Sequence, residues 1–172
     1  MHTFEQARKL VADRLENSNF SDKDSLIILD NFTIEKPYAW IFFYTSKLYH
    51  ETKETQYAIA GNSPIIVDKE TLEQTSYPTA YSLEEILQKY EEEKKIWNLI
   101  LPESHLIENS KLISLKNKLE LGLNIIKEIK DSKTFSLASG SEFRLKMLQY
   151  DLQNIGIDTS LILAWGNKPE TL

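Results

Sequence analysis

The pattern of apolar and polar positions opens with a helix. Thr3-Phe4-Glu5-Gln6 fits a capping box, in which the threonine hydroxyl and the glutamine side chain bond backbone amides of the first turn. Apolar residues then recur at helical spacing at Phe4, Ala7, Val11 and Leu15. The pattern predicts a helix over about residues 4–17, followed by a polar loop over residues 17–24.

A group of strands is predicted after the loop. The strongest strand pattern spans Tyr38 to Ser46, where apolar side chains occupy both alternating faces. Such a pattern is typical of a central strand that is covered on both sides. Shorter strand patterns lie at residues 25–32, 56–60, 65–68 and 72–77. The turn Gly61-Asn62-Ser63-Pro64 precedes the third of these, because Gly and Asn tolerate left-handed backbone and Pro fixes the exit.

A second capping box, Ser82-Leu83-Glu84-Glu85, begins another helix. We expect this helix to run to about Leu99, with a break at Pro102. The first half of the chain therefore has the predicted order α-β-β-β-β-α. The predicted fold class is α+β, with an antiparallel sheet covered by helices and then a helical and β-α-β C-terminal region.

The second half begins with apolar residues at helical spacing between residues 112 and 129. This spacing predicts one amphipathic helix over residues 112–129, whose wide apolar surface packs on two sides. A strand at residues 134–138, a helix that ends at Gly156 and a strand at residues 159–165 follow. This succession indicates either a small parallel unit or two edge strands added to the first sheet.

These patterns divide the chain into three segments. Residues 1–97 form the first predicted domain, and residues 98–110 are the predicted linker. Residues 111–172 are either a C-terminal α/β extension or a second small domain.

Composition narrows the possible functions. The chain has no cysteine, which excludes disulfides, cysteine-based zinc sites and thiol nucleophiles. Its N-terminus has no signal-peptide pattern, and no apolar run approaches the roughly 20 residues that span a bilayer. We therefore expect a cytoplasmic protein that does not bind membranes.

The charge is distributed unevenly. The net charge is -6, and residues 1–97 contain 11 Lys and Arg against 17 Asp and Glu, so the net acidity lies there. An acidic half repels nucleic-acid phosphates and steers towards a basic partner, although solubility alone also explains such a charge. We expect no nucleic-acid partner.

The sequence offers little catalytic chemistry. The three histidines, His2, His50 and His105, show no metal-ligand spacing, and no Gly-x-Ser-x-Gly motif is present. No catalytic residue, metal site or cofactor is predicted. The segment 137–141 resembles the opening of Maf-type nucleotide pyrophosphatases, but that family's Ser-Pro-Arg-Arg reads Ser141-Glu142-Phe143-Arg144 here. Glu142 would repel a phosphate, so we interpret the likeness as chance and keep a nucleotide-processing enzyme as a third hypothesis.

Four sequence pieces carry a family resemblance. They are Thr3-Phe4-Glu5-Gln6-Ala7, the run from Ile34 to Tyr44, Ala60-Gly61-Asn62-Ser63-Pro64-Ile65-Ile66-Val67-Asp68-Lys69, and the run from Thr79 to Glu85. Their order and spacing resemble the YrhB-like family, also called immunity protein 35, over about residues 3–93.

The resemblance implies a function in protein binding. Members of this family look like bacterial immunity proteins that are encoded beside polymorphic toxins. Such proteins are not enzymes, and they bind a cognate toxin to block its active site or its folding. Some members have instead been described as chaperone-like. The alternative function is therefore a chaperone or adaptor that binds apolar client segments through the surface of residues 112–129.

Seven residues are predicted to contact the partner. They are Glu35, Tyr38, Trp40, Tyr57, Asn62, Asp68 and Tyr81. Aromatic residues dominate interface hot spots, but an aromatic strand is more often core. The loop after Gly61 could equally be a hairpin turn with only a structural role, and the carboxylates beside the strands could be a solvated rim.

Overall fold

The chain divides into two units, Met1–Leu83 and Glu84–Leu172. The structure is a computed structural model that describes residues 2–18, 20–21 and 23–165. Both units mix helices with antiparallel sheets, so the predicted α+β fold class is confirmed. The finer domain boundaries given by the sequence stay a prediction.

The first helix, α1, spans Phe4–Glu16. Its capping box is present: Gln6 N donates to the Thr3 hydroxyl at 3.3 Å, and Thr3 N donates to Gln6 Oε1 at 2.9 Å. Ala7, Val11 and Leu15 are its buried residues. The predicted helix is therefore confirmed, and Asn17 is its C-cap.

The first unit contains two sheets. Its further elements are β1 (Leu26–Ile28), β2 (Ile34–Glu35), β3 (Ala39–Phe42), β4 (Tyr44–Ser46), α2 (Lys47–Thr52), β5 (Ile65–Asp68) and β6 (Gln74–Thr75). A four-stranded antiparallel sheet has the order β2-β3-β5-β6, and β1 pairs with β4 in a two-stranded sheet.

The core of the first unit lies between α1 and one face of the larger sheet. Trp40 and Phe42 on β3 pair with Val67 and Ile65 on β5, and all four pack with the buried residues of α1. The Phe4 ring stacks on Phe42 at 5.6 Å between centroids. Ala39, Ile41 and Ile66, which alternate to the other face, are fully buried too. This confirms that the aromatic strand is central and covered on both sides.

Three strand predictions need correction. The run Tyr38 to Ser46 is not one strand, because β3 and β4 separate at Phe43 and pair with different partners. Residues 25–32 are strand only over β1, since Phe32 N and Thr33 N bond backward to Leu29 O and Asp30 O in a 3-10 turn. Residues 56–60 form no strand, because Thr55–Tyr57 is a 3-10 turn held by local bonds.

The second unit is built around a three-stranded sheet. Its elements are α3 (Leu83–Lys94, of which Leu83 falls in the first unit), β7 (Trp97–Pro102), α4 (Asn109–Leu119), α5 (Leu123–Asp131), β8 (Thr134–Gly140), α6 (Glu142–Gln153) and β9 (Ser160–Leu163). The strand order is β8-β7-β9, and β7 is antiparallel to both neighbours. The flanking strands β8 and β9 are therefore parallel to each other.

The second half also differs from its predictions. Helix α3 ends at Lys94, and residues 97–102 form the central strand, so most of β7 falls in the predicted linker 98–110. The β-α-β succession is real, but β7 lies between its two strands. The predicted helix over residues 112–129 is two helices. It breaks because Glu120 adopts a left-handed conformation with φ of +53° and Gly122 caps the next helix.

A core made within the second unit explains the break. Leu112 and Leu115 of α4 and Ile129 of α5 pack with Leu99 and Leu145, and the apolar residues around the turn pack at its border. Two short helices can each turn an apolar face to this core, whereas one straight helix could not follow it.

We expect a fully buried leucine of α4 to be much more important for stability than an exposed leucine on α5. Leu115 is fully buried and Leu123 on α5 is 76% exposed. Leu115→Ala should lower the free energy of unfolding by about 2–5 kcal/mol, and Leu123→Ala by less than about 0.5 kcal/mol. Urea denaturation of both variants measures this, and equal effects would contradict the described core.

Candidate functional site

One short segment of the first unit presents an aromatic ring between two carboxylates. Phe32 is 67% exposed and ends the 3-10 turn that begins at Asp30. Glu35 lies three residues further on, in the edge strand β2, with its side chain 70% exposed. We call Asp30, Phe32 and Glu35 the acidic edge. The exposed ring thus lies, in sequence, between two carboxylates that also reach solvent.

Asp30 is fixed by a two-pronged ion pair with α1. Arg8 Nε donates to Asp30 Oδ1 at 2.7 Å, and Arg8 Nη2 donates to Asp30 Oδ2 at 2.8 Å. These hydrogen bonds, together with the positive charge, hold the pKa of Asp30 below its ordinary value, although partial burial opposes the shift. The carboxylate therefore stays ionised and is held in one orientation.

Glu35 is fixed by a nearly buried lysine. Lys69 is 7% exposed, and its Nζ donates to Glu35 Oε1 at 2.6 Å. The same Nζ lies 4.9 Å from the centroid of the Trp40 ring, within range of a cation–π interaction. The hydrogen bond and charge of Lys69 lower the pKa of Glu35. Glu35 thus pairs inward with Lys69 while most of its side chain faces solvent.

Three of the seven predicted contact residues lie inside the fold. Tyr38 is fully buried and Trp40 is 5% exposed, because the aromatic strand is consumed by the core. Asp68 is also buried, and its Oδ1 accepts hydrogen bonds from Glu70 N at 2.8 Å and Thr71 N at 2.9 Å. These three side chains hold the sheet and its turn and present no surface to a partner.

The other four predicted contacts reach solvent to different degrees. Glu35, Asn62 and Tyr81 are exposed, and Tyr57 is half-buried. Asn62 Nδ2 donates to Tyr44 O, so the loop after Gly61 closes one edge of β4. The loop therefore has a structural role, and Glu35 is the member of the predicted set that lies on the acidic edge.

Phe32 is the residue that sequence reasoning missed. The pattern placed it at the end of a strand over residues 25–32, where a phenylalanine reads as core. The preceding Asp30-Asn31 could have distinguished Phe32 from a buried strand residue, since Asp and Asn favour turns over strand interiors.

The candidate phosphate turn of the second unit is occupied by the protein's own carboxylates. Ser141 N donates to Glu92 Oε2 at 2.8 Å, and Glu142 N donates to Glu91 Oε2 at 2.8 Å. Arg144 adds an ion pair to Glu92 at 2.9 Å, which lowers the pKa of that carboxyl. The amides at the start of α6 that could hold a phosphate are thus already bonded, which favours the reading of the Maf-type likeness as chance.

Residues 2–18, 20–21 and 23–165 contain neither a metal-binding cluster nor a membrane-spanning helix. No group of three or more His, Asp or Glu side chains could hold a metal ion there. Among the helices of the same residues, none has both the length and the apolar character needed to cross a bilayer.

Comparison with known proteins gives two matches. The family model described as immunity protein 35 matches residues 5–93. The Escherichia coli (strain K12) protein named "Uncharacterized protein YrhB" is 40% identical over 61 residues. That match covers 36% of this chain and 65% of the relative, less than two thirds of its length. No solved structure matches.

We expect removal of Arg8 to raise the pKa of Asp30 towards its ordinary value of about 4. Arg8→Gln removes both hydrogen bonds and the charge that hold this pKa down. NMR titration of the Asp30 carboxyl measures the shift. Arg14→Gln is the matched control on α1, because Arg14 donates to the Ser76 hydroxyl and not to Asp30.

The same pair predicts a pH dependence of stability. The pKa of Asp30 is lower in the folded than in the unfolded chain, so the pair stabilises the fold above pH 4 and loses its effect as pH falls through the folded pKa. Both side chains are nearly half exposed, which limits the effect to about 0.2–1 kcal/mol. A stability difference between wild type and Arg8→Gln that grows on acidification would contradict this account.

Proposed function

The chain belongs to the immunity protein 35 family, and on that premise we propose that it binds a cognate bacterial toxin and neutralises it without catalysis. The observation that carries the proposal is the family match over residues 5–93, more than half of the 172 residues. Within the proposal the protein acts in the cytoplasm, in a stoichiometric complex, and needs no cofactor.

The acidic edge supports a basic toxin surface as the binding partner. Asp30 and Glu35 are each paired with a cation of this chain, which holds the carboxylates in place, and their side chains are 49% and 70% exposed. Each carboxylate can therefore still accept a charge-assisted hydrogen bond from a Lys or Arg of the partner. Phe32 supplies the exposed ring that could be buried at the centre of such a contact.

The hydrogen bonds of the clustered and buried carboxylates also agree with inhibition by binding alone. The clustered carboxylates of the second unit, Glu91 and Glu92, are bonded to the amides at the start of α6, and Asp68 holds a turn. Their geometry serves the fold. We propose that the toxin is blocked by occupation of its surface, with Glu35, Phe32 and the nearby Asp30 as contacts.

The alternative proposal is a chaperone or adaptor that binds apolar client segments. The surface of residues 112–129 that motivated it is largely packed into the core of the second unit. A different stripe favours it instead: Phe143, Met147 and Tyr150 follow at helical spacing on α6 and are all more than half exposed. A chaperone should suppress aggregation of unrelated clients, whereas an immunity protein should act on one partner.

We expect Phe32 to be important for binding and a matched phenylalanine on the second unit to have little effect. The probe is the purified product of the gene adjacent to this one, because the resemblance implies a toxin encoded there. Phe32→Ala should weaken the affinity of this protein for that product at least about tenfold, since a buried aromatic anchor typically contributes more than about 1 kcal/mol. Titration calorimetry measures the change.

Phe143→Ala is the control, because Phe143 is 58% exposed and lies on α6. The affinity of this variant for the adjacent gene's product should stay within about twofold of wild type. Loss of binding in Phe143→Ala with none in Phe32→Ala would place the interface on the α6 stripe and contradict the acidic edge. Absence of any complex, with a neighbour that is harmless when expressed alone, would favour the chaperone alternative.

A further inference from the structure

The pairing of β1 with β4 fixes which backbone groups of β1 face outward. Lys47 N donates to Ser25 O and Leu29 N donates to Phe43 O, both at 2.8 Å. In an antiparallel pair, hydrogen-bonded residues alternate with residues whose amide and carbonyl point away from the partner strand. The register therefore makes Ile27 a hydrogen-bonded residue opposite Thr45.

Leu26 and Ile28 are the residues whose backbone groups point away from β4. They lie opposite Ser46 and Tyr44 in the non-bonded positions of the ladder. Within residues 2–18, 20–21 and 23–165, no hydrogen-bond partner is found for their two N–H and two C=O groups. β1 is thus a free edge that offers two donors and two acceptors in strand geometry.

The opposite edge of the same small sheet differs. The carbonyl of Tyr44, which points away from β1, accepts a hydrogen bond from the Asn62 side chain. The loop after Gly61 thereby closes the β4 edge, whereas no described residue covers the β1 edge in the same way. Proteins usually protect free edges because an unpaired edge recruits another strand.

A groove runs along the free edge. It has a volume of about 380 Å³ and is lined by β1 and by Arg8, Ala12, Leu15 and Glu16 of α1. The side chains of Leu26 and Ile28 pack against the core beneath α1, so the strand is held in place beside the groove. A strand added to β1 would lie beside α1 and bury part of its own side chains there.

The charges along the groove favour one kind of occupant. Arg8 is already engaged by Asp30 at one end of the lining. Glu16 lines the groove and forms no ion pair among the described residues. The available charge is therefore negative, and a segment with a Lys or Arg opposite Glu16 would be complementary.

We propose that the edge of β1 binds an extended segment of the toxin, with a basic residue opposite Glu16, as an added β-strand. This inference rests on the proposed function and specifies how the partner is held. Backbone hydrogen bonds to Leu26 and Ile28 supply the pairing, and the groove under α1 selects the side chains. The acidic edge continues directly from β1 through Asp30, so one partner surface could cover both.

Amide hydrogen exchange of the full chain tests the proposal. The chain is labelled with ¹⁵N and its exchange rates are measured by NMR alone and with the purified product of the adjacent gene. Leu26 and Ile28 amides should exchange fast in the free chain and at least about tenfold more slowly in the complex. The Ile27 amide is the internal control, since it is bonded to β4 in both states and should stay slow.

A pair of variants separates the backbone effect from the side-chain effect. Ile28→Pro removes the outward N–H, which no group of the described chain uses, and places a ring where the partner would bond. Ile28→Ala removes the same packing but keeps the N–H. Affinity for the adjacent gene's product should fall at least about tenfold further in Ile28→Pro than in Ile28→Ala.

The failing outcomes are distinct. A tight, neutralising complex in which both outward amides still exchange fast, or in which the two Ile28 variants bind alike, overturns the added strand and leaves the proposed function standing. If protection of the outward amides in the free chain rises with the concentration of the chain, the β1 edge binds a second copy of this chain. That result also overturns the added strand of the toxin. Absence of any complex overturns the proposed function, and this inference falls with it.

Discussion

The burial of β3 and β5 on both faces is the constraint on which the first unit depends. One face packs Trp40 and Phe42 against α1, and the other buries Ile41 and Ile66 completely. Because every side chain of the two central strands is buried, the aromatic strand β3 cannot also be a contact surface. In the proposed function, binding therefore falls to the edges of the first unit: the turn at Phe32, the edge strand β2 with Glu35, and β1.

The same constraint explains what the sequence could and could not predict. Capping boxes and the two-faced apolar strand are local signals, and α1, the start of α3 and the central position of β3 follow from them. The break at Phe43 and the exposure of Phe32 depend on which strand pairs with which, and no local pattern encodes that. Seven contact residues were predicted from their residue types, and the fold buries three of them, Tyr38, Trp40 and Asp68.

The second unit shows how a nonlocal contact changes the reading of a segment. Residues 97–102 follow a charged helix and end in a proline, so their pattern predicts a helix end and a linker. Their pairing with both β8 and β9 makes them the central strand instead. Glu91 and Glu92 of α3 fix the start of α6, so the helix that ends the family match is bound into the fold of the later residues.

The central claim is neutralisation by stoichiometric binding, and titration of the adjacent gene product's toxic activity against this protein tests it most directly. The account predicts that activity falls linearly and ends at one molecule of this protein per molecule of toxin. Complete inactivation by a small fraction of an equivalent would indicate catalysis. Full activity at excess protein would show that the neighbour is not its target. Either result would contradict the account.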